Sequence, residues 1–139
     1  MDKFDVLYMD IARRISAMSY STRSRVGCVV VNDHNIVSFG WNGTPRLYDN
    51  QCEDDSGRTL DCVIHAEQNA IAKAARQGIP LYGSTLYTTL SPCFDCSKSI
   101  IQSGIKSVIY FECYRVDDAI VFLRDNNINV YQMEEDYHV

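Results

Sequence analysis

The residues of this chain with the most chemistry in them are His65, Glu67, Cys93 and Cys96. In "HAEQNA" (65–70) an imidazole and a carboxylate stand two positions apart at the head of a helix-like run, and in "SPCFDC" (91–96) a Cys-x-x-Cys follows a proline. A Cys-x-x-Cys at a helix start sets two sulfurs on neighbouring faces of the first turn, where one metal can hold both. Pro92 at the first helical position, with Ser91 capping before it, predicts such a start. The positive end of the helix dipole there lowers the thiol pKa and favours the ligating thiolate. Two sulfurs do not complete a tetrahedral site, and a redox Cys-x-x-Cys would need nothing more. His65 supplies a third ligand if both helices start at one sheet edge. Three protein ligands leave one position for water, the pattern of a catalytic zinc. Residues two apart in a helix point to different sides, so His65 and Glu67 face one metal only if His65 lies at the helix entry. Zinc lowers the pKa of bound water to about 7, and a carboxylate beside it takes that proton to a leaving group. Glu67 is therefore expected as the base and not as a ligand. The plainer alternatives are a core or surface histidine and an exposed helix glutamate.

The elements that must position these groups are legible from periodicity. Apolar residues at Phe4, Leu7, Tyr8, Ile11, Ala12, Ile15 and Met18 follow the spacing of one helix face. "VGCVVV" (26–31) and "IVSFGW" (36–41) flank Asp33, His34 and Asn35 and predict a hairpin. A polar, turn-rich stretch, 42–61, is longer than most connections, which points to function or ligand-dependent order. From Cys62 onward, element types alternate: a helix through "VIHAEQNAIAKAARQG" ending near Gly78, a strand in "STLYTTL", and a helix from Pro92 to Ser103. The strand "SVIYFE", a helix from Asp117 to about Arg124 and a short strand "NVYQM" complete the chain. Strands alternating with helices imply βαβ crossovers, hence an α/β fold: three α/β/α layers around a mixed sheet of roughly five strands.

Composition narrows the function classes. At 139 residues the chain has the length of one domain, expected to span 1–139. With 46% hydrophobic and 22% charged residues and no low-complexity run, it reads as an ordinary globular protein. The N-terminus lacks the basic-then-apolar order of a signal peptide and no run approaches the ~18 apolar residues of a membrane span, so a cytoplasmic protein without a membrane partner is expected. Its six cysteines are then expected as thiols or metal ligands, and only Cys93 and Cys96 have ligand-like spacing. A formal net charge of −5 argues against a nucleic-acid partner but permits a small anion at a local arginine cluster.

The ordered pair H-x-E and P-C-x-x-C is the signature of the zinc deaminases, and "HAEQNAI" with "SPCFDC" resembles its two halves. The finer resemblance is to deoxycytidylate (dCMP) deaminases, phage ones especially. It covers nearly the whole chain: "RVGCVVV" resembles their first strand, "GWNGTP" their G-[YW]-N-G-x-P segment, and "IIQSGIKSVIYFECY" the stretch after the second zinc motif. The resemblance implies one zinc on His65, Cys93 and Cys96, Glu67 as proton shuttle, and Tyr114 packed against the pyrimidine, with Ala66 and Ser91 also lining the substrate site. It implies hydrolysis of dCMP to dUMP and ammonia, supplying dUMP for thymidylate synthesis.

Gly40, Trp41, Asn42 and Gly43 resemble the motif of an allosteric nucleotide site, at which dCTP activates and dTTP inhibits, with Mg2+ accompanying the triphosphate; Arg76 is a candidate there or at a subunit interface. Asn-Gly is also a preferred turn pair and a single Trp is commonly core. "STRSR" (21–25) offers Arg23, Ser24 and Arg25 for the substrate phosphate, or an exposed basic loop. Some phage relatives carry a second, structural zinc; Ser21 stands where one of its cysteines would be sought, and no second metal is expected from Cys52 and Cys62. The resemblance also implies a homo-oligomer, a hexamer. Rival readings are a deaminase of free (deoxy)cytidine, against which stands "STRSR", and a tRNA adenosine deaminase, against which stands the acidic balance. A zinc-stabilised deoxynucleotide sensor without turnover is the rival from outside enzymology, and it predicts a closed metal site.

Overall fold

The computed structural model describes residues 2–114 and 116–134. Asp2 starts the first helix: its carboxylate accepts from the amides of Phe4 and Asp5, while the Asp2 N–H donates to Asp5 Oδ2 at 3.2 Å. This reciprocal capping box opens α1, Lys3–Ser16. β1 (Gly27–Asn32) and β2 (Asn35–Trp41) form the hairpin foreseen from the sequence. Asp33 and His34 both take positive φ in its two-residue turn, which matches the twist of the paired strands. α2 (Ala66–Gln77), β3 (Thr85–Leu90), α3 (Phe94–Ser103), β4 (Ser107–Glu112), α4 (Asp118–Asp125) and β5 (Asn129–Gln132) follow. The five strands lie in the order β2-β1-β3-β4-β5. The β1 pairings are antiparallel, and β3, β4 and β5 run parallel.

Both faces of the sheet are covered, which makes the three layers. Along β1, Val29 and Val31 face α1, where they meet Met9, Ala12, Tyr87 and Ile109. Cys28 and Val30 face the other way and join Leu86, Val108, Ile100 and Leu123 beneath the remaining helices. The alternation is the period-two pleat of a strand buried on both sides. Each fully buried Val or Leu contributes about 1.5–3 kcal/mol relative to exposure. α2 packs close against β2 because Ala66, Ala70 and Ala74 form a small-residue stripe, all at most 1% exposed. Gly40 faces that stripe: a Cβ there would stand 2.5 Å from the Ala66 carbonyl oxygen and 2.8 Å from the Ala70 nitrogen.

The site-bearing edge follows from the register. Gly27 pairs with Trp41, Cys28 with Thr88 and Leu90 with Glu112, so the start of β1 and the ends of β2, β3 and β4 share one edge. In open α/β sheets the crevice outside the carboxyl ends of the parallel strands is where ligands bind. The segment 42–61 arches over this edge without helix or strand, and its two ends are clasped: Gly43 N–H donates to Ile64 O at 3.0 Å and Ile64 N–H to Gly43 O at 2.8 Å.

The clasp corrects one helix start. The periodicity placed Val63 to His65 inside the helix; pairing with Gly43 holds Ile64 extended, and α2 begins only at Ala66. The second start also differs. Ser91 N–H donates to Glu112 O at 2.8 Å, which keeps Ser91 extended; Cys93, and not Ser91, is the N-cap of α3, and Pro92 precedes the cap. Gly78 in the left-handed conformation (φ 70°) ends α2 as expected. Among the described residues, no helix is long and apolar enough to cross a membrane.

Candidate metal centre and two cavities

His65 is the N-cap of α2 (φ −69°, ψ 155°), so the helix entry that the argument from spacing required is present. Cys93 caps α3, and its sulfur accepts from the Cys96 N–H at 3.5 Å. The two helix starts meet: His65 Nδ1 lies 3.2 Å from Cys96 Sγ and 3.4 Å from Cys93 Sγ. Ligands at ordinary zinc bond lengths, about 2.3 Å to sulfur and 2.0–2.1 Å to nitrogen, stand about 3.5 Å apart around a tetrahedron. The donor set and its spacing therefore fit zinc. Among the described residues, His65, Cys93 and Cys96 are the group whose ligand atoms cluster, all within 4.8 Å of one another.

The electrostatics of the trio suit a cation. A hydrogen bond with Cys96 brings the Cys93 thiol down to about 4, against the opposing effect of burial and with further help from His65. The same bond, together with burial, pushes Cys96 up. The contact with Cys93 raises His65. Glu67, 4% exposed, is held above the usual carboxylate range by burial, with its own backbone N–H and His65 opposing.

A cavity of about 350 Å³ opens onto this centre and is lined by His65, Ala66, Glu67, Ser91, Cys93 and Tyr114, with Arg23 and Ser24 across from them. Ser91 is 3% exposed, and its hydroxyl accepts from the Tyr114 N–H at 2.6 Å, which fixes the backbone that carries the ring. Arg25 does not line this cavity; its Nε donates to Ser21 O at 3.1 Å, and it faces Asp10, Arg13, Arg14 and Glu112 beneath the sheet.

A second cavity, about 480 Å³, holds Gly40, Trp41, Gly43 and Arg76 together, as the motif reading grouped them. Asn42 separates from the other three. Its Nδ2 donates to Ser24 O at 2.7 Å, its Oδ1 accepts from Val26 N–H at 2.9 Å, and it lines the metal cavity. Asn42 lies just beyond β2, and its side-chain bonds to Ser24 and Val26 draw it to the metal cavity.

Lys73 and Asn69 were not singled out from the sequence. With Arg76 they lie at i, i+4 and i+7 on α2, a spacing that could have revealed them. Asn69 Nδ2 donates to Trp41 O at 2.8 Å. Lys73 Nζ sits 3.6 Å from the Phe39 ring centroid and 5.6 Å from that of Trp41, and burial holds its ammonium below the usual range. Thr59 and Val63, which also line the metal cavity, arrive through the clasped segment and carry no local signal.

Comparison with known proteins agrees with this geometry. The family described as cytidine and deoxycytidylate deaminase zinc-binding region matches residues 2–112. Deoxycytidylate deaminase of Saccharomyces cerevisiae is 35% identical over 139 residues, covering 93% of this chain and 44% of that protein. That of Enterobacteria phage T4 is 33% identical, covering 76% of each. The chain thus spans under half the length of the yeast relative and about three quarters of the phage one. A crystal structure of dCMP deaminase from the cyanophage S-TIM5, in complex with dCMP and dUMP, superposes with a TM-score of 0.92 at 41% identity over 96% of this chain and 99% of that one.

Proposed function

The chain belongs to the cytidine and deoxycytidylate deaminase zinc-binding family, and from that premise we propose that it hydrolyses dCMP to dUMP and ammonia within a single domain. The observation that carries this reading is the placement of a buried carboxylate, Glu67, between a zinc-fitting trio and a cavity that also presents Arg23. His65, Cys93 and Cys96 would hold the zinc, which when bound would act as a Lewis acid that lowers the pKa of water. Glu67 takes a proton from the attacking water, delivers it to N3 and passes a later one to the departing amino group, which leaves as ammonia. Burial supports that role, since a carboxyl raised toward neutrality both accepts and returns protons. Tyr114 packs on the ring, and Arg23 with Ser24 receives the 5′-phosphate. Ala66 opens α2 and lines the same cavity, beside the base.

The second cavity takes a deoxynucleoside triphosphate, dCTP as activator or dTTP as inhibitor, accompanied by Mg2+. Lys73, Arg76 and Arg46 supply cations there and Trp41 and Tyr20 aromatic surface. Subunits assemble as a hexamer.

Ammonia release from zinc-loaded protein given dCMP or deoxycytidine, alone and with dCTP or dTTP, tests both parts. The proposal expects preference for dCMP, activation by dCTP and suppression by dTTP. Equal or faster turnover of deoxycytidine overturns the phosphate assignment, and indifference to both triphosphates removes the effector role of the second cavity.

A further inference from the structure

Glu53 lines neither cavity, yet the chain from Ser21 to Arg23 is organised around its carboxylate. Glu53 Oε2 accepts from Ser21 Oγ at 2.7 Å, Thr22 N–H at 3.1 Å and Arg23 N–H at 3.2 Å. Oε1 accepts from Thr22 Oγ1 at 3.1 Å and shares the Thr22 N–H at 3.3 Å. Consecutive amides turned onto one anion form a concave nest, here filled by a side chain of the same molecule. The contacts continue along the segment: Ser24 N–H donates to Ser21 Oγ at 3.5 Å, and Ser21 itself is 3% exposed. Residues 21–25 lie between α1 and β1 and belong to no helix or strand, so these bonds take the place of a ladder in fixing the backbone. The outcome is that Arg23 and Ser24 line the cavity that contains Glu67. Among the described residues, Glu53 joins no cluster able to hold a metal, so its hydrogen bonds are its visible role.

We propose that Glu53 is a positioning residue for substrate specificity: it locks the 21–23 backbone so that Arg23 meets a 5′-phosphate, and so sets the preference for nucleotide over nucleoside. The inference rests on the dCMP reading given above. Because the phosphate lies remote from the bond that breaks, a loosened Arg23 costs binding in ground and transition states alike. It raises KM with little change in kcat.

The test uses zinc-loaded wild type, Glu53→Ala, Glu53→Gln and Arg23→Ala. It compares kcat and KM for dCMP and deoxycytidine, measures dUMP affinity by calorimetry, and follows hydrogen exchange at the Thr22 and Arg23 amides. Glu53→Ala is expected to lower the dCMP-to-deoxycytidine ratio of kcat/KM about tenfold or more, through KM. It should weaken dUMP to a similar degree and speed exchange at both amides. Glu53→Gln can keep an acceptor at the Oε2 position and donate to the Thr22 hydroxyl from the other, so it should recover most of the ratio. An equal loss on both substrates, an unchanged ratio, or a Gln variant as poor as Ala overturns the proposal. A wild type whose ratio is near one, with Arg23→Ala inert, instead sinks the nucleotide reading and this inference with it. Faster exchange beside a preserved ratio sinks only the link from Glu53 to the phosphate.

Discussion

The metal cavity and the Trp41 cavity share α2 as a wall, but they are assembled from different kinds of sequence. The metal cavity takes the helix entry, His65 to Glu67, and sets it against the matching entry of α3. The Trp41 cavity takes the next turns, Asn69, Ala72, Lys73 and Arg76, and sets them against the end of β2 and the 44–52 part of the clasped segment. Helix entries impose their own geometry, because caps and unpaired amides fix where side chains stand. The metal cavity also takes irregular chain at its rim, Arg23, Ser24 and Thr59, but its chemical centre stands on helix entries. The Trp41 cavity is walled by helix middle, strand end and irregular chain. The first should be sensitive to single atoms and the second to shape and charge.

The sharpest way to break that contrast is at Glu67. Glu67→Gln should lower kcat about 10²–10⁴-fold, the usual contribution of a general acid-base group, with zinc content by atomic absorption unchanged. Triphosphate binding at the other cavity, read from Trp41 fluorescence, should persist; its loss would mean the cavities are not separable. Gly40→Ala attacks both at once. The added Cβ meets the Ala66 oxygen and the Ala70 nitrogen, both backbone, so α2 must shift; a cost of about 1–3 kcal/mol in urea unfolding is expected, with impaired turnover and triphosphate binding together. Damage confined to one cavity would show that the shared wall does not transmit the displacement. Arg76→Ala should act on the second cavity alone, raising the dCTP concentration for half-maximal activation about tenfold through loss of a charged hydrogen bond.

The smallest effect concerns Glu53. Hydrogen bonding from Ser21, and then from the Arg23 and Thr22 amides, lowers its pKa. A carboxylate depressed in the folded state contributes stability that is present above its unfolded value, about 4.3, and lost as pH falls through the folded one. A carbon-detected NMR titration should therefore place Glu53 below exposed glutamates, with exchange at Thr22 and Arg23 quickening only under strongly acid conditions. A titration at the ordinary glutamate position would show the clamp to be loose in solution.

Legibility in the sequence followed the same division. The five strands, four helices and three layers were readable because hydrophobic period and turn chemistry are local signals. The meeting of His65, Cys93 and Cys96 was readable too, since their spacing encodes it once both helices start at one edge; Glu67 lines the metal cavity. What failed was local register under distant pairing: Ile64 and Ser91 are drawn into extended backbone by Gly43 and Glu112, and both helix starts slip. Adjacency groups Asn42 with Trp41, but its side chain is held by Ser24 and Val26 on the metal-cavity side. Arg25 was grouped with Arg23 and is turned beneath the sheet by its bond to Ser21. Glu53 carries no signal, since its partners, Ser21 to Arg23, lie about thirty residues away.

The reciprocal bonds between Gly43 and Ile64 have a consequence for how such a chain can be remodelled. They close the arch at its base, so the strand before it and the helix after it are anchored independently of what lies between. Loop-closure entropy rises only about 0.6 kcal/mol for each doubling of length. Extra residues near Leu47, which is fully exposed, would leave the hinge-pins of both neighbours in place. The arch is in this sense an interchangeable part: a lineage or an engineer can rewrite ligand preference there, one graft at a time, while the zinc chemistry stays under warranty of the clasp.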